Sequence, residues 1–373
     1  SKLSAINKGD KMKFLIFTVT VGAGHNEVAR NVAEYLKSQG HEVLVHDLFK
    51  HKKFRQWVIA KLGFTAMTKL PTISNYFYDR AKKSDVSIYD SYIKSIKDET
   101  LELVNTFKPD VIISSHIAGR LFVKKYESEF VKPVLNYFIV TDYDLTPGLK
   151  DYKENEYVII PNEDFKDELV EKGFAPDHIL PFGIPVNAKY YKKLDENEAK
   201  EKLGIDIDLN KKIVLVVGGG NGLGNVYKVI KELSKHDDIQ IISVAGRNED
   251  LKEEIDALAK KSKAKIYSYG FTKELEYMMT IADYLVGKTG GITATEAITK
   301  GVPLIAVGKT PKPEYSNLQY LKKNGMAIEI DDIKTIYDKI KTLDTDAMKE
   351  KYEKSKKADV VEKINENILE AKI

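Results

Sequence analysis

The sequence predicts an α/β protein built as two parallel-sheet halves facing a central cleft, and three observations predict it. Short β-branched apolar runs alternate with stretches of helical spacing, which is the pattern of βαβ units. The alternation restarts near Lys211 with "KKIVLVVGGG". At 373 residues the chain also exceeds the usual size of one hydrophobic core.

The elements follow in order. "KFLIFTVT" reads as a first strand, and "GAGHNEVARNVAEYLKSQG" as a helix with Val28, Val32 and Leu36 on one face. "HEVLVHDLF", "PDVIISS", "KPVLNYFIV" and "EYVIIPN" read as further strands, with "DETLELVNTF" and "EDFKDELVEKG" as helices between them. After Lys211 come strands "KKIVLVV", "IQIISVAG", "AKIYSYG", "DYLVGK" and "VPLIAV". The intervening helices are "NVYKVIKELSKHDD", "DLKEEIDALAKKS", "KELEYMMTIA" and "ITATEAITKG". A stretch rich in Pro and charge around Pro185 to Leu194 reads as a hinge. The expected domains are therefore 12–185 and 186–345, with a helix over about 346–373 packing back on the first. Met12 stands where a native start would lie, so residues 1–11 are set aside.

Composition narrows the function classes. Hydrophobic content of 43% with 31% charged residues suits a folded globular chain. The longest apolar runs fall well short of the roughly 20 residues that span a bilayer, and the first residues lack a signal-peptide layout. The absence of cysteine excludes disulfides, thiolate nucleophiles and cysteine metal sites, and fits a reducing cytoplasm. A net charge of +3 gives no reason to expect nucleic acid. The charge is uneven, however: Lys50 to Lys83 carries nine Lys/Arg against one acid, Asp79.

Three glycine-bearing loops follow strands, where parallel sheets bind ligands: "TVGAGHN", "VGGGNGLGN" and "GKTGG". None is a P-loop and none fits GxGxxG, which weakens Walker-type and dinucleotide readings. Helix N-termini with bare backbone still favour a diphosphate. Glu296 lies five residues past Gly291, too deep for a cap and placed to accept from both hydroxyls of a ribose. The residues alone equally allow a tight strand–helix turn with a solvated glutamate.

"GKTGGITATEAITKGVPLIA" resembles the donor-site signature of GT-B glycosyltransferases, whose fold is two Rossmann-like domains around a cleft. The resemblance is closest to the diacylglycerol sugar transferases, the monogalactosyldiacylglycerol synthases and processive glucosyltransferases. It extends to "TVGAGHNEVARNVAEYLKSQGHEVLVHDL", "IVTDYDLTPG" and "PFGIPV", covering most of Lys13 to Ile330. Carried over by position, it implies Gly219, Gly220 and Asn221 on the diphosphate side. Gly246, Arg247 and Phe271 would flank uracil, Phe271 through backbone atoms. Thr289, Gly290 and Gly291 would meet the phosphates and Glu296 the ribose, while Lys288 would either add charge there or face solvent. The family's Gly-Gln-Glu and following Asn, contacts for sugar hydroxyls, become "KPEYSN": Glu314 and Asn317 remain, and Pro313 stands where Gln is expected. Glucose and galactose both stay open.

His25 follows the first glycine turn at a helix start, where a neutral imidazole suits a general base. By its position alone it would equally serve as a surface or capping residue; the resemblance implies the catalytic role. Asp142 at another strand end would orient the base or the acceptor, Gly24 would line the acceptor side, and His116 at a third strand end would either line it or pack. "DYD", Asp142 to Asp144, has the form of a metal-binding DxD but lies in the half without the donor loops, so no metal or other cofactor is expected. Lys52, Lys53, Arg55 and Trp57 combine cations with apolar side chains, as in a helix lying on an anionic membrane or in an ordinary core helix with a solvated face. Beside a lipid acceptor, docking on the inner face of the cell membrane is expected.

These implications describe an inverting hexosyltransferase using a UDP-sugar and diacylglycerol or a glycosyl-diacylglycerol. Its rivals are the related N-acetylglucosaminyltransferase acting on a polyprenyl-linked acceptor, a UDP-sugar 2-epimerase, and a non-catalytic sugar-nucleotide sensor.

Overall fold

The computed structural model describes residues 11–20, 23–50, 90–145, 148–218, 225–308 and 312–371. By contact the chain forms two compact units, one running to Val186 and resuming at Asp359, the other spanning Asn187–Ala358.

In the first unit, β1 (Lys13–Thr18), β2 (Glu42–Asp47), β3 (Val111–Ser114), β4 (Leu135–Ile139), β5 (Glu156–Ile159) and β6 (Ile179–Leu180) form one sheet. Its order is β2-β1-β3-β4-β5-β6, and every pairing is parallel. Helices α1 (Ala23–Ser38), α2 (Asp90–Ser95), α3 (Lys97–Phe107), α4 (Ile117–Tyr126) and α5 (Lys166–Glu171) connect the strands. The central strands read as unbroken apolar runs because helices cover both faces: all of β3 and β4 is buried, while edge strand β2 is largely half-exposed. Val28, Val32 and Leu36 of α1 are fully buried, as their four-residue spacing predicts. A Cβ on Gly119 would come within 2.7 Å of both Phe17 Cβ and Ser114 Oγ, so α4 rests directly on β1 and β3. The two-residue β6 was not among the expected strands.

The second unit contains α6 (Glu196–Leu203), β7 (Lys212–Val217), α7 (Val226–Leu233), β8 (Ile239–Val244), α8 (Glu249–Ala259), β9 (Lys265–Tyr269), α9 (Leu275–Ile281), β10 (Tyr284–Gly287), α10 (Gly291–Lys300), β11 (Leu304–Val307), α11 (Lys312–Lys323), β12 (Ile328–Ile330), α12 (Ile336–Thr342) and α13 (Asp346–Ser355). Its parallel sheet runs β12-β11-β10-β7-β8-β9, the doubly wound order. Each unit has its own core, one around Leu15, Ile112 and Phe122, the other around Val214, Ile241 and Ile305.

The single helix expected over 346–373 is two. Helix α13 belongs to the second unit, where the Tyr352 hydroxyl accepts from Leu304 N–H (3.1 Å) and donates to the Met326 carbonyl (2.8 Å). After a break at Asp359, whose φ is +39°, α14 (Val360–Glu370) belongs to the first unit. There Asn367 Oδ1 accepts from the Tyr137 hydroxyl at 2.7 Å. The hydrophobic stripe of each helix is separately satisfied, which an uninterrupted helix would not allow.

Candidate functional site

Chain order reverses between β1 and β3 in the first sheet and between β7 and β10 in the second. At such a crossover the loops leave the carboxyl ends of neighbouring strands in opposite directions and open a crevice for ligand. Of the residues singled out from the sequence, Gly24, His25, His116 and Asp142 lie near the first of these points, and Lys288, Thr289, Gly290 and Gly291 near the second.

In the first unit, the connection after β1 enters α1, and His25 with Gly24 lies in the first turn of that helix. His25 Nδ1 lies 2.7 Å from the Ser115 carbonyl, just past β3, and 3.1 Å from Thr141 Oγ1, just past β4. A carbonyl oxygen only accepts, so Nδ1 carries the hydrogen and the lone pair of the neutral ring sits on Nε2. Burial pushes the His25 pKa below its ordinary value; the nearby Asp142 charge and the Ser115 bond oppose this with smaller effect. The result is an imidazole kept neutral, oriented by a main-chain acceptor and basic at Nε2. These are the attributes of a general base.

His116 is 8% exposed and packs edge-on against His25, with ring centroids 4.7 Å apart. It is the N-cap of α4: its Nδ1 accepts from Ala118 N–H at 3.1 Å, so its neutral ring is protonated at Nε2, the opposite tautomer to His25. Burial, then the neighbouring His25, drives its pKa well below the ordinary value. Asp142 lies beyond β4 and influences His25 through its charge. Together, His25, His116 and Asp142 gather at one crossover. Thr141 and the Ser115 carbonyl belong with them and were not singled out from the sequence; their only local signal is position at a strand end. Among the described residues no three His, Cys, Asp or Glu side chains converge as a metal site would require.

In the second unit, β10 pairs with β7 so that Gly287 faces Val217, aligning the ends of both strands. A Cβ on Gly287 would meet the Val217 carbonyl at 3.1 Å, which explains that glycine by packing. Gly290 differs: its φ of −64° suits any residue, and a Cβ there would meet no described residue within 4 Å. Among the described residues neither strain nor packing requires that glycine, whereas close approach of a ligand to its amide would. Gly290 is the N-cap of the ten-residue α10 and has no side chain to cap the first-turn N–H groups, an arrangement that suits an anion. Glu296 is buried within α10.

Past β8, Gly246 adopts φ +64°, a turn that favours glycine, and Arg247 follows it. The Arg247 guanidinium lies 5.2 Å from the centroid of the Phe271 ring, which is 57% exposed beyond β9. The family resemblance implied backbone contacts for Phe271; here its ring also presents a cation-backed face. Lys288 does not point free into solvent: its ammonium lies 3.2 Å from Glu314 Oε1. Thr289, fully buried, donates to the Glu314 carbonyl at 2.8 Å, and Asn317 is buried in α11. Gly219, Gly220 and Asn221, and Lys52, Lys53, Arg55 and Trp57, lie outside the described residues.

Comparison with known proteins finds two family matches, one in each half of the sequence. Residues 25–186 match the monogalactosyldiacylglycerol (MGDG) synthase family, and residues 213–370 match the glycosyltransferase family 28 C-terminal domain. A processive diacylglycerol beta-glucosyltransferase of Bacillus pumilus (strain SAFR-032) is 27% identical over 338 residues, 89% of this chain and 86% of the relative. The protein of that name from Bacillus subtilis (strain 168) is 26% identical over the same proportions. Among solved structures, Acinetobacter baumannii MurG superposes with a TM-score of 0.60 at 13% identity, covering 96% of this chain and 99% of that one. At that identity the likeness establishes the fold, which is GT-B.

Proposed function

We infer that this chain, a monogalactosyldiacylglycerol synthase domain joined to a family 28 glycosyltransferase C-terminal domain, is a UDP-sugar-dependent diacylglycerol glycosyltransferase. It transfers a hexose, glucose or galactose, to the hydroxyl of diacylglycerol or of a glycosyl-diacylglycerol. The observation that carries the mechanism is the His25 tautomer: Nδ1–H is committed to the Ser115 carbonyl, which leaves Nε2 to take a proton.

In this reading the acceptor hydroxyl gives its proton to His25 Nε2 as its oxygen attacks the anomeric carbon. The sugar–phosphate bond breaks on the opposite face, and UDP departs with inversion. Negative charge accumulates on the diphosphate, where the open amides at the start of α10 would stabilise it in place of a metal ion. Glu296 would hold the ribose hydroxyls, and Arg247 with Phe271 the uracil. Asp142 would stabilise the imidazolium that forms on His25. The Gly219–Asn221 loop would complete the diphosphate cradle.

Among the described residues no helix is long and apolar enough to cross a membrane. A lipid acceptor calls for contact with a membrane surface, and the cationic, apolar segment holding Lys52, Lys53, Arg55 and Trp57 is the part suited to the anionic inner face.

UDP release would be measured with UDP-glucose, UDP-galactose and UDP-N-acetylglucosamine, each with and without diacylglycerol vesicles. Hexose-dependent release that requires the lipid is expected. Turnover of UDP-N-acetylglucosamine alone with a polyprenyl acceptor would replace this reading by its nearest rival, and binding without turnover would make the chain a sensor.

A further inference from the structure

We propose that Lys288 is a positioning residue: it holds Glu314 by one carboxylate oxygen so that the other is presented to hydroxyls of the donor hexose. This rests on the preceding reading that the second unit binds a UDP-hexose.

Lys288 and Glu314 lie 26 positions apart, on the two segments that follow β10 and β11. Lys288 Nζ meets Glu314 Oε1 at 3.2 Å, with both side chains about three-quarters buried. The next residue adds a second tether, since the Thr289 hydroxyl donates to the Glu314 carbonyl at 2.8 Å. Two successive residues of the segment entering α10 thus grip the first turn of α11, and Glu314 has little freedom to turn. Its remaining oxygen, Oε2, is buried and has no partner among the described residues.

A buried carboxylate oxygen left unpaired is costly, and hydroxyl donors of a bound ligand would repay that cost. The pairing also addresses a charge conflict. Glu314 stands one tether away from Thr289, next to the Gly290–Gly291 amides expected to receive a diphosphate. A lone carboxylate there would repel the donor; one neutralised by Lys288 would not. A lysine bound to Glu314 is not available as a counter-ion for phosphate, so that task falls to the backbone amides. Pro313 offers no side-chain donor, which leaves Glu314 a larger share of sugar recognition.

The test uses the full chain with Lys288→Met, Lys288→Arg, Glu314→Gln and the Lys288→Met/Glu314→Gln double variant. UDP affinity is read by calorimetry, and kcat/KM by UDP release from UDP-glucose and UDP-galactose on diacylglycerol vesicles. Lys288→Met is expected to leave UDP affinity within about twofold while kcat/KM for the better hexose donor falls about tenfold or more. Glu314→Gln should lose a similar factor, the double variant no more than the worse single, and Lys288→Arg should recover most of the loss. A tenfold loss of UDP affinity in Lys288→Met with an unchanged thermal melt would overturn the proposal, because the ammonium would then serve the diphosphate. Losses that multiply in the double variant would overturn it as well. Failure of the unaltered chain to bind UDP would instead remove the parent reading, a result distinguishable from either.

Discussion

Replacing His25 by asparagine and by alanine separates what its two ring nitrogens do. In both variants the base is gone, and loss of a positioned general base costs about 10²–10⁴ in rate, or about 2.7–5.5 kcal/mol in the barrier. The stability effects differ. Nδ1–H serves the Ser115 carbonyl at 2.7 Å, with Thr141 Oγ1 at 3.1 Å as a second acceptor. Alanine leaves that carbonyl without its partner, a cost of about 1–3 kcal/mol. In a unit of this size that corresponds to a melting temperature lower by about 2–4 °C for each kcal/mol. Asparagine retains an amide N–H at nearly the same reach and should melt close to the unaltered chain. Steady-state UDP release on diacylglycerol vesicles, thermal melts and UDP calorimetry together give the comparison. Both variants should lose two to four orders of magnitude in kcat, with UDP affinity unchanged because the residues proposed to hold the nucleotide all belong to the other unit. If His25→Asn keeps more than about a third of kcat, Nε2 is not the base and the mechanism fails.

Four further outcomes are expected. His25 and His116 both have folded pKa values below 6.5, so beneath that pH the unfolded chain binds protons the folded one refuses; stability should be full above pH 6.5 and fall as pH drops. Each ring contributes up to about 1.4 kcal/mol per pH unit, and His116→Asn, which keeps an N-cap acceptor, should flatten urea midpoints compared between pH 7.5 and 5.5. The buried Arg120–Glu156 pair, reinforced by Arg120 Nη2 donating to Lys150 O at 2.9 Å, should make Arg120→Ala cost about 3–5 kcal/mol of first-unit stability, whereas a cost under 1 kcal/mol by denaturant melt would mean the pair is not buried. Tyr352→Phe should cost about 1–3 kcal/mol in the second unit by orphaning Leu304 N–H and the Met326 carbonyl, and no change would remove α13 from that core. Glu296→Gln should weaken UDP binding by about tenfold and deoxy-UDP binding much less; equal losses would separate Glu296 from the ribose.

The local features were legible because their causes are local. Val28, Val32 and Leu36 report their shared buried face through spacing, and the apolar runs Phe14–Phe17 and Val111–Ile113 report strands covered on both faces. Gly290 before an amphipathic run marks a helix start, and His25 falls, as its place after the first strand suggests, in the first turn of α1. The contacts that give these residues their chemistry were not legible. Neither Thr141 nor the Ser115 carbonyl advertises itself as a partner of His25, and nothing local to Lys288 announces that Glu314 lies beside it. Likewise the split of 346–373 into α13 and α14 depends on Tyr352 and Asn367 finding partners in different cores.

The roles of His25 and of the glycine turns rest on the family resemblance; by itself the sequence determined the two βα series and the glycine-started helices. These depend on the preferences of residues within a few positions of one another. Only the tertiary structure decided strand order, and with it the assignment of tautomers. Ser115 and Thr141 stand 90 and 116 positions beyond His25. They reach it because β3 lies beside β1 and β4 beside β3 with their carboxyl ends aligned. Periodicity along a chain carries no record of which strands will be neighbours; burial of both sheet faces selects that arrangement, and the proton on Nδ1 follows from it.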